Sequence, residues 1–200
     1  MKKILNILIL LLLSACGSGQ PELAKLSNND VILAFGDSLT YGYGVDDEES
    51  YPAVLETLSG IEVINEGVSG EESGPGLKRL RNALNKHQPD LLILCHGGND
   101  LLRKKSVSKM ESNIRQMIQL AKDNNIPVVL IGVPKPGLFL SSSKVYKDIA
   151  DSMDVVFIED MLPEILADAS LKSDAVHPNK DGYRVIAETV HTVLKDSGAL

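Results

Sequence analysis

The chain has 200 residues, of which 44% are hydrophobic and 24% are charged, and its formal net charge is −7. This length and composition predict one globular domain with a substantial core. An acidic balance disfavours binding to nucleic acid, because a negative surface repels phosphate backbones. Tryptophan is absent and aromatic residues make up only 4% of the chain, which excludes a carbohydrate platform of stacked indole rings.

The N-terminal segment differs from the rest of the chain. Lys2 and Lys3 precede a nearly continuous apolar run at residues 4–13. A helix that spans a bilayer needs about 20 apolar residues, so this shorter run is typical of a secretory signal peptide, predicted at residues 1–15. Small residues then precede Cys16, which resembles the lipobox of bacterial lipoproteins.

The lipobox resemblance implies cleavage before Cys16 and a diacylglyceryl group on its thiol. The product would be anchored in the bacterial cell envelope on the periplasmic face, and Gly17 favours the outer membrane where there are two. An ordinary secretory signal that contains a cysteine is the alternative. Residues 16–29 are mostly small and polar and predict a flexible, lipidated tether, followed by a domain at residues 30–200. Once Cys16 is acylated, Cys95 has no partner for an intrachain disulfide.

Strand and helix patterns alternate along the domain. Near-continuous apolar runs are typical of strands that are covered on both faces. They occupy residues 31–35, 61–64, 91–95, 126–131 and 155–158. Apolar residues at helical spacing occupy residues 50–58, 77–84, 108–121 and 183–194. The third helix carries a capping-box pattern at Ser108 and Glu111, and Asn179 is a predicted N-cap for the last. The alternation predicts an α/β fold with a parallel sheet, whose ligands bind at the carboxyl ends of the strands.

Residues that could take part in catalysis follow the first three apolar runs. Gly36-Asp37-Ser38 follows the first run, Ser69-Gly70 the second, and Gly97-Gly98-Asn99 the third. A serine on a tight turn at a helix start exposes its hydroxyl, while a glycine N–H and an asparagine amide can face an oxyanion. Taken singly, the first segment is as typical of a helix cap, and the other two are more typical of ordinary turns.

A carboxylate and an imidazole lie close together near the C-terminus. Asp174 precedes His177 by three residues, so its carboxylate can accept the Nδ1–H and hold the imidazole as a base. A capping aspartate and a surface histidine are the alternative. Together the four segments supply a nucleophile, oxyanion donors and an oriented base, which are the parts that acyl transfer requires.

In these four segments the chain resembles the SGNH hydrolases, also called GDSL esterases. It is most similar to the bacterial thioesterase/arylesterase/lysophospholipase group, over about residues 31–194. The resemblance implies a three-layer α/β/α sandwich with a five-stranded parallel sheet, and hydrolysis of a small ester or thioester without cofactor or metal. It also implies that Ser38 is the nucleophile, His177 the general base and acid, and Asp174 the residue that orients it. The implied oxyanion hole consists of the Ser38 and Gly70 N–H groups and the Asn99 amide.

The chain departs from this group beside the site. Cys95 and His96 stand where relatives often have a carboxylate and an aliphatic residue, and Glu72 stands where threonine is common. His96 is a rival base, although we expect it to line the acyl pocket or cap the strand end, and Cys95 is predicted to be a packed thiol. Two other functions stay open: deacetylation of a polysaccharide, and ligand binding by a lipoprotein without catalysis.

Overall fold

A computed structural model describes residues 20–135, 142 and 144–200. The signal peptide predicted at residues 1–15 and the lipid attachment predicted at Cys16 lie outside the described residues. In the described ranges, no helix has both the length and the apolarity that are needed to cross a bilayer.

Five parallel strands form a single sheet in the order β2-β1-β3-β4-β5. They are β1 (Val31–Gly36), β2 (Glu62–Gly67), β3 (Leu91–Cys95), β4 (Val128–Ile131) and β5 (Val156–Ile158). The inner strands β3 and β4 are buried at every residue, as their near-continuous apolar sequences predict. This topology confirms the predicted five-stranded parallel sheet and has the flavodoxin-like strand order.

Helices cover both faces of the sheet and complete the predicted α/β/α sandwich. They are α1 (Ser38–Tyr41), α2 (Tyr51–Ser59), α3 (Ser73–His87), α4 (Gly98–Leu102), α5 (Val107–Lys122), α6 (Lys144–Met153), α7 (Met161–Ala167) and α8 (Lys180–Asp196). Helices α2 and α8 pack together on one side, and α3, α5 and α6 pack on the other. A 3₁₀ turn at Asp47–Glu49 precedes α2.

The four predicted helices correspond to α2, α3, α5 and α8, but one predicted cap is wrong. The observed cap of α5 is Ser106, two residues before the predicted one, and its hydroxyl accepts the N–H of Lys109 in place of the predicted pair of Ser108 and Glu111. Asn179 caps α8 as predicted, because its side chain accepts the N–H of Gly182. Helices α4, α6 and α7 were not predicted, and α4 and α7 are too short to display a clear apolar period.

Residues 20–29 lie against the domain, so this part of the predicted tether is packed and the domain extends beyond the predicted boundary at residue 30. The N–H groups of Leu23 and Leu26 donate to the carbonyls of Ser197 and Ala199 at 2.7 and 2.8 Å. Both leucine side chains pack against the core. The mostly polar composition of this segment conceals these two apolar anchors, and burial of their side chains favours docking.

The side-chain amide of Gln20 extends this docking to the outer strand of the sheet. Its Nε2 donates to the carbonyl of Phe157 at 2.9 Å, and its Oε1 accepts the Phe157 N–H at 2.6 Å. The amide thereby satisfies backbone groups on the free edge of β5, which would otherwise be open to pairing with another chain. The packed part of the chain thus begins no later than Gln20.

The strand order opens a crevice at the carboxyl ends of β1 and β3. The chain leaves β1 towards β2 on one side and later returns to form β3 on the other, which is where ligands bind in open α/β sheets. Gly36, at the end of β1, pairs in register with Gly67 and Cys95. A Cβ at Gly36 would lie 2.2 Å from the carbonyl oxygen of Cys95, so only glycine permits this close approach.

Candidate active site

Ser38 is the first residue of helix α1 and follows β1 almost directly. Asp37 caps the helix, and its Oδ1 accepts the N–H of Leu39 at 3.2 Å. The hydroxyl of Tyr183, on helix α8, donates to the Ser38 carbonyl at 3.4 Å. The turn between strand and helix is therefore held from both sides, with the serine side chain at the crevice.

His177 and Asp174 approach Ser38 from the loop before α8. The His177 Nε2 lies 3.0 Å from the Ser38 Oγ, and the His177 Nδ1 lies 2.8 Å from the Asp174 Oδ2. The other carboxylate oxygen accepts the N–H groups of Val176 and His177, both at 2.8 Å. The three side chains form a continuous line of hydrogen bonds from carboxylate to hydroxyl.

The hydrogen bonds around Asp174 keep its carboxylate charged. Partial burial works against the charged form, but the bonds from the His177 ring and from two backbone N–H groups outweigh it. They hold the pKa of Asp174 below its ordinary value. A charged carboxylate holds the proton of the imidazole on Nδ1, so that Nε2 is free to accept the hydroxyl proton of Ser38.

Asn99 lies in the first turn of helix α4, after the glycine pair that follows β3. Its Nδ2 donates to the Asp37 Oδ2 at 3.3 Å. Asp37 is 2% exposed, and burial raises its pKa against the opposing effects of His96, the Leu39 N–H, Asn99 and His177. One N–H of the Asn99 amide is thus used to orient it, and the second remains for a ligand.

Gly70 lies in the turn after β2, with a φ of +77° that favours glycine. It is not among the residues that line the cavity described below. Its loop is joined to α4 by Ser73, whose N–H and hydroxyl donate to the Asp100 carboxylate at 2.7 and 2.8 Å. Asn113 donates to the same hydroxyl at 2.9 Å. These buried contacts hold the segments of Gly70 and Asn99 beside each other.

Ser38, Asn99 and His177 open into one cavity of about 560 Å³. Most of its wall is apolar, which suits a hydrocarbon group. The apolar lining residues are Leu39, Leu102, Val133, Pro134, Leu166, Ala167, Ala175 and Val176. Lys172 also lines the wall, and its Nζ donates to the carbonyl of Leu166 at 2.9 Å. Across the described ranges, no group of three or more His, Cys, Asp or Glu residues is arranged to hold a metal ion.

His96 does not line this cavity, which corrects one of its two expected placements; it lies at the end of β3, which is the other. Its ring is fully buried at the end of β3, and its two nitrogens contact Glu71 and the N–H of Gly97. These contacts leave it unsuited to the role of rival base. Cys95 is 2% exposed, and burial raises the pKa of its thiol well above the ordinary value, as expected of a packed cysteine.

Two residues at the site were missed by sequence reasoning. Asp37 looks like a helix cap in the sequence, yet it also binds the Asn99 side chain, 62 positions away. Tyr43 contacts the His177 ring, and an aromatic residue shortly after the serine turn was its only signal. The other departure from the relatives, Glu72, binds Arg103 at the end of α4 at 2.8 Å.

A serine hydroxyl bonded to a carboxylate-paired histidine, at the carboxyl end of a parallel sheet, is the arrangement of a serine hydrolase. Comparison with known proteins identifies the family. Residues 34–185 match the GDSL-like Lipase/Acylhydrolase family, and the chain belongs to it. The chain is therefore a carboxylic ester hydrolase, which excludes a binding lipoprotein without catalysis.

Individual relatives carry related activities. The chain is 32% identical over 167 residues to the Thioesterase 1/protease 1/lysophospholipase L1 of Escherichia coli strain K12, covering 80% of each chain. It is 31% identical over 201 residues to the Arylesterase of Vibrio mimicus, covering 95% of this chain and 96% of that one. The crystal structure of the esterase EstA from Pseudoalteromonas sp., inhibited by monoethylphosphonate, has a TM-score of 0.76 at 25% identity and covers 84% of this chain and 97% of its own.

Proposed function

We propose that the chain is a serine esterase that hydrolyses carboxylic esters or thioesters through an acyl-enzyme on Ser38. The observation that carries the proposal is the 3.0 Å approach of the His177 Nε2 to the Ser38 Oγ, with Asp174 behind the ring. A hydroxyl is a weak nucleophile at its own pKa, and an adjacent oriented base is what activates it.

In the first step, His177 takes the hydroxyl proton as the Ser38 Oγ attacks the carbonyl carbon. His177 then gives that proton to the departing alkoxide or thiolate. Water repeats the sequence: His177 removes a proton from water, hydroxide attacks the acyl carbon, and the proton returns to the Ser38 oxygen. Asp174 stabilises the imidazolium in both steps without taking the proton itself.

The tetrahedral oxyanion would be bound by the N–H groups of Ser38 and Gly70 and by the Asn99 amide. The hydrogen bond from Asn99 to Asp37 supports this role, because it engages one amide N–H and fixes the direction of the other. Such donors act on the charge that develops in the transition state and lower the barrier to reaction.

The walls of the cavity favour an aliphatic acyl group longer than acetyl. The volume of about 560 Å³ and the apolar lining support this choice, as do the thioesterase and arylesterase relatives. Each buried CH₂ contributes about 0.8 kcal/mol. We expect kcat/KM for p-nitrophenyl esters to rise from acetate through butyrate and to stop rising once the cavity is filled.

The decisive experiment combines a serine variant with a covalent probe. Ser38→Ala is expected to abolish hydrolysis of p-nitrophenyl butyrate and labelling by a fluorophosphonate, while its thermal unfolding resembles that of the wild type. Ser112→Ala, an exposed serine on α5, is the matched control and should keep both signals. Retained turnover in Ser38→Ala would remove this serine from the mechanism.

We also propose that the enzyme is exported and held in the cell envelope by a lipid on Cys16. The lipobox-like residues before Cys16 support this proposal. The docked segment then places the lipid within four residues of Gln20, so the anchor would hold the domain close to the membrane. Incorporation of a fatty-acid analogue should depend on Cys16, and equal labelling of Cys16→Ser would exclude the anchor.

A further inference from the structure

We propose that His96 is a positioning residue that couples the two loops carrying the oxyanion donors Gly70 and Asn99. The inference rests on the proposed function, because it concerns the donors of that same site. His96 itself touches neither the cavity nor Ser38. Its ring lies instead between the turn that follows β2 and the glycine pair that follows β3, and it contacts a residue of each.

The contacts of the ring define the position of its proton. The Gly97 N–H donates to the His96 Nδ1 at 2.9 Å, so this nitrogen carries no proton. The proton therefore sits on Nε2, which donates to the Glu71 Oε2 at 3.2 Å. Glu71 follows Gly70 directly, and Gly97 precedes Asn99 by two residues. One ring thus joins the neighbours of both donors through its two nitrogens.

The surroundings of the ring leave it a single position. The side chain is completely buried, and Gly76 of α3 makes room for it, because a Cβ there would lie 2.3 Å from the His96 Nε2. The Tyr146 hydroxyl, from α6, donates to the His96 carbonyl at 2.8 Å. The Phe35 ring lies 6.0 Å away between centroids. Because its neighbours hold the ring in place, the ring keeps the Gly70 loop and the Gly97 loop in a fixed position relative to each other.

Glu71 is held just as firmly on the other side of this bridge. Its carboxylate accepts from Arg79 at 2.8 Å, and the Arg79 guanidinium also pairs with Glu66 and lies 4.0 Å above the Phe35 ring. Burial favours the protonated form of Glu71, but the bonds from His96 and Arg79 prevail and lower its pKa to about 2. Arg79 thus fixes the carboxylate to the sheet, and His96 connects that fixed point to the Gly97 loop.

Two other ties join the same loops, but neither involves Gly97. Ser73 binds Asp100, and Glu72 binds Arg103 at the surface. Both would survive replacement of His96 and hold the loops in general proximity. What they cannot replace is the acceptor for the Gly97 N–H. A shift of either donor weakens binding of the oxyanion more than binding of the uncharged ester, so the loss should appear in kcat.

Three substitutions separate the two bonds of the ring. His96→Leu removes both, His96→Asn retains an acceptor near the Nδ1 position, and His96→Gln retains a donor near the Nε2 position. With p-nitrophenyl butyrate we expect His96→Leu to lower kcat by about tenfold to a hundredfold, less than the loss of a whole oxyanion donor, with KM within about twofold. His96→Asn and His96→Gln should fall between His96→Leu and the wild type.

A second readout isolates the oxyanion. An alkyl trifluoromethyl ketone forms a tetrahedral adduct with an active serine, and its affinity should weaken across the His96 series in proportion to kcat/KM. His191→Leu, in the C-terminal half of helix α8, is the matched control and should change neither quantity. All assays are made on the full chain below the onset of thermal unfolding of each variant.

The outcomes are distinguishable. Unchanged kcat and ketone affinity in His96→Leu, or losses that only track the folded fraction, would overturn the positioning role. Turnover that survives in Ser38→Ala would instead overturn the proposed function. An inactive Ser38→Ala together with a fully active His96→Leu would leave the esterase mechanism intact and remove only the coupling.

Discussion

The ring of Tyr43 lies over the imidazole of His177, with centroids 4.5 Å apart and planes tilted by 35°. Tyr43 is 47% exposed, so its outer face meets solvent while its inner face covers the histidine. Its carbonyl, 3.3 Å from the Tyr183 hydroxyl, shares that donor with the Ser38 carbonyl, which ties the backbone of Tyr43 to helix α8. The loop after the nucleophile thus shields one face of the base from solvent.

Removal of this aromatic cover should lower activity modestly. An aromatic pair contributes about 0.5–1.5 kcal/mol beyond its buried area, so Tyr43→Ala should reduce kcat/KM for p-nitrophenyl butyrate about twofold to tenfold. Tyr43→Phe keeps the ring and should stay close to the wild type. Equal losses in the two variants would mean that the hydroxyl, and not the ring, is what matters.

Asp174 should be essential for turnover but not for folding. Asp174→Asn removes the charge that stabilises the imidazolium and favours the wrong tautomer. We expect kcat to fall by about 10⁴, as it does for the equivalent substitution in the triad of a serine protease. The carboxylate is half exposed, so thermal unfolding should change little. Asp181→Asn, an exposed aspartate at the start of α8, is the control. Activity within tenfold of the wild type would contradict the assigned role.

Loss of the Asn99 amide should affect the transition state more than the bound substrate. Asn99→Ala is expected to lower kcat about a hundredfold to a thousandfold, with little change in KM, because one oxyanion donor is removed. Steady-state kinetics with p-nitrophenyl butyrate measure this split. Asn124→Ala, at an exposed position in the turn after α5, should behave as the wild type. A rise in KM at constant kcat would identify Asn99 as a ground-state binding group.

Glu71 should make the stability of the fold depend on pH in acid. Its pKa is lowered from 4.5 to about 2 in the folded chain, so below pH 4.5 the unfolded chain takes up this proton first. The stabilisation is complete above pH 4.5 and is lost as the pH falls towards 2. Glu71→Gln should therefore unfold at a lower temperature at pH 7 and respond less to pH over this window.

Thermal unfolding by circular dichroism between pH 2.5 and pH 7 measures the effect of Glu71. Glu48→Gln, at an exposed position, removes the same charge and controls for the effect of net charge on stability in acid. If the two variants show the same dependence on pH, the contacts of Glu71 with Arg79 and His96 do not stabilise the fold.

The strands and the local pair of Asp174 and His177 were predictable because their signals are local. An apolar run such as residues 91–95 is buried whichever neighbours it acquires, and three residues of separation bring a carboxylate to an imidazole within one loop.

The tether prediction failed at residues 20–29 because their packing is not a local property. Small polar residues dominate the average over residues 16–29 and hide Leu23 and Leu26, whose packing depends on a helix end far along the chain.

The sequence by itself therefore determined the α/β class and the residue types available for acyl transfer. Only the tertiary structure decided which of them meet. Ser38 and His177 are separated by 139 positions and come within a hydrogen bond because the end of β1 and the loop before α8 reach the same edge of the sheet. The same packing turns His96 away from the cavity and towards Glu71. A hydrogen bond between distant residues depends on the position of every element between them, and no local sequence pattern encodes those positions.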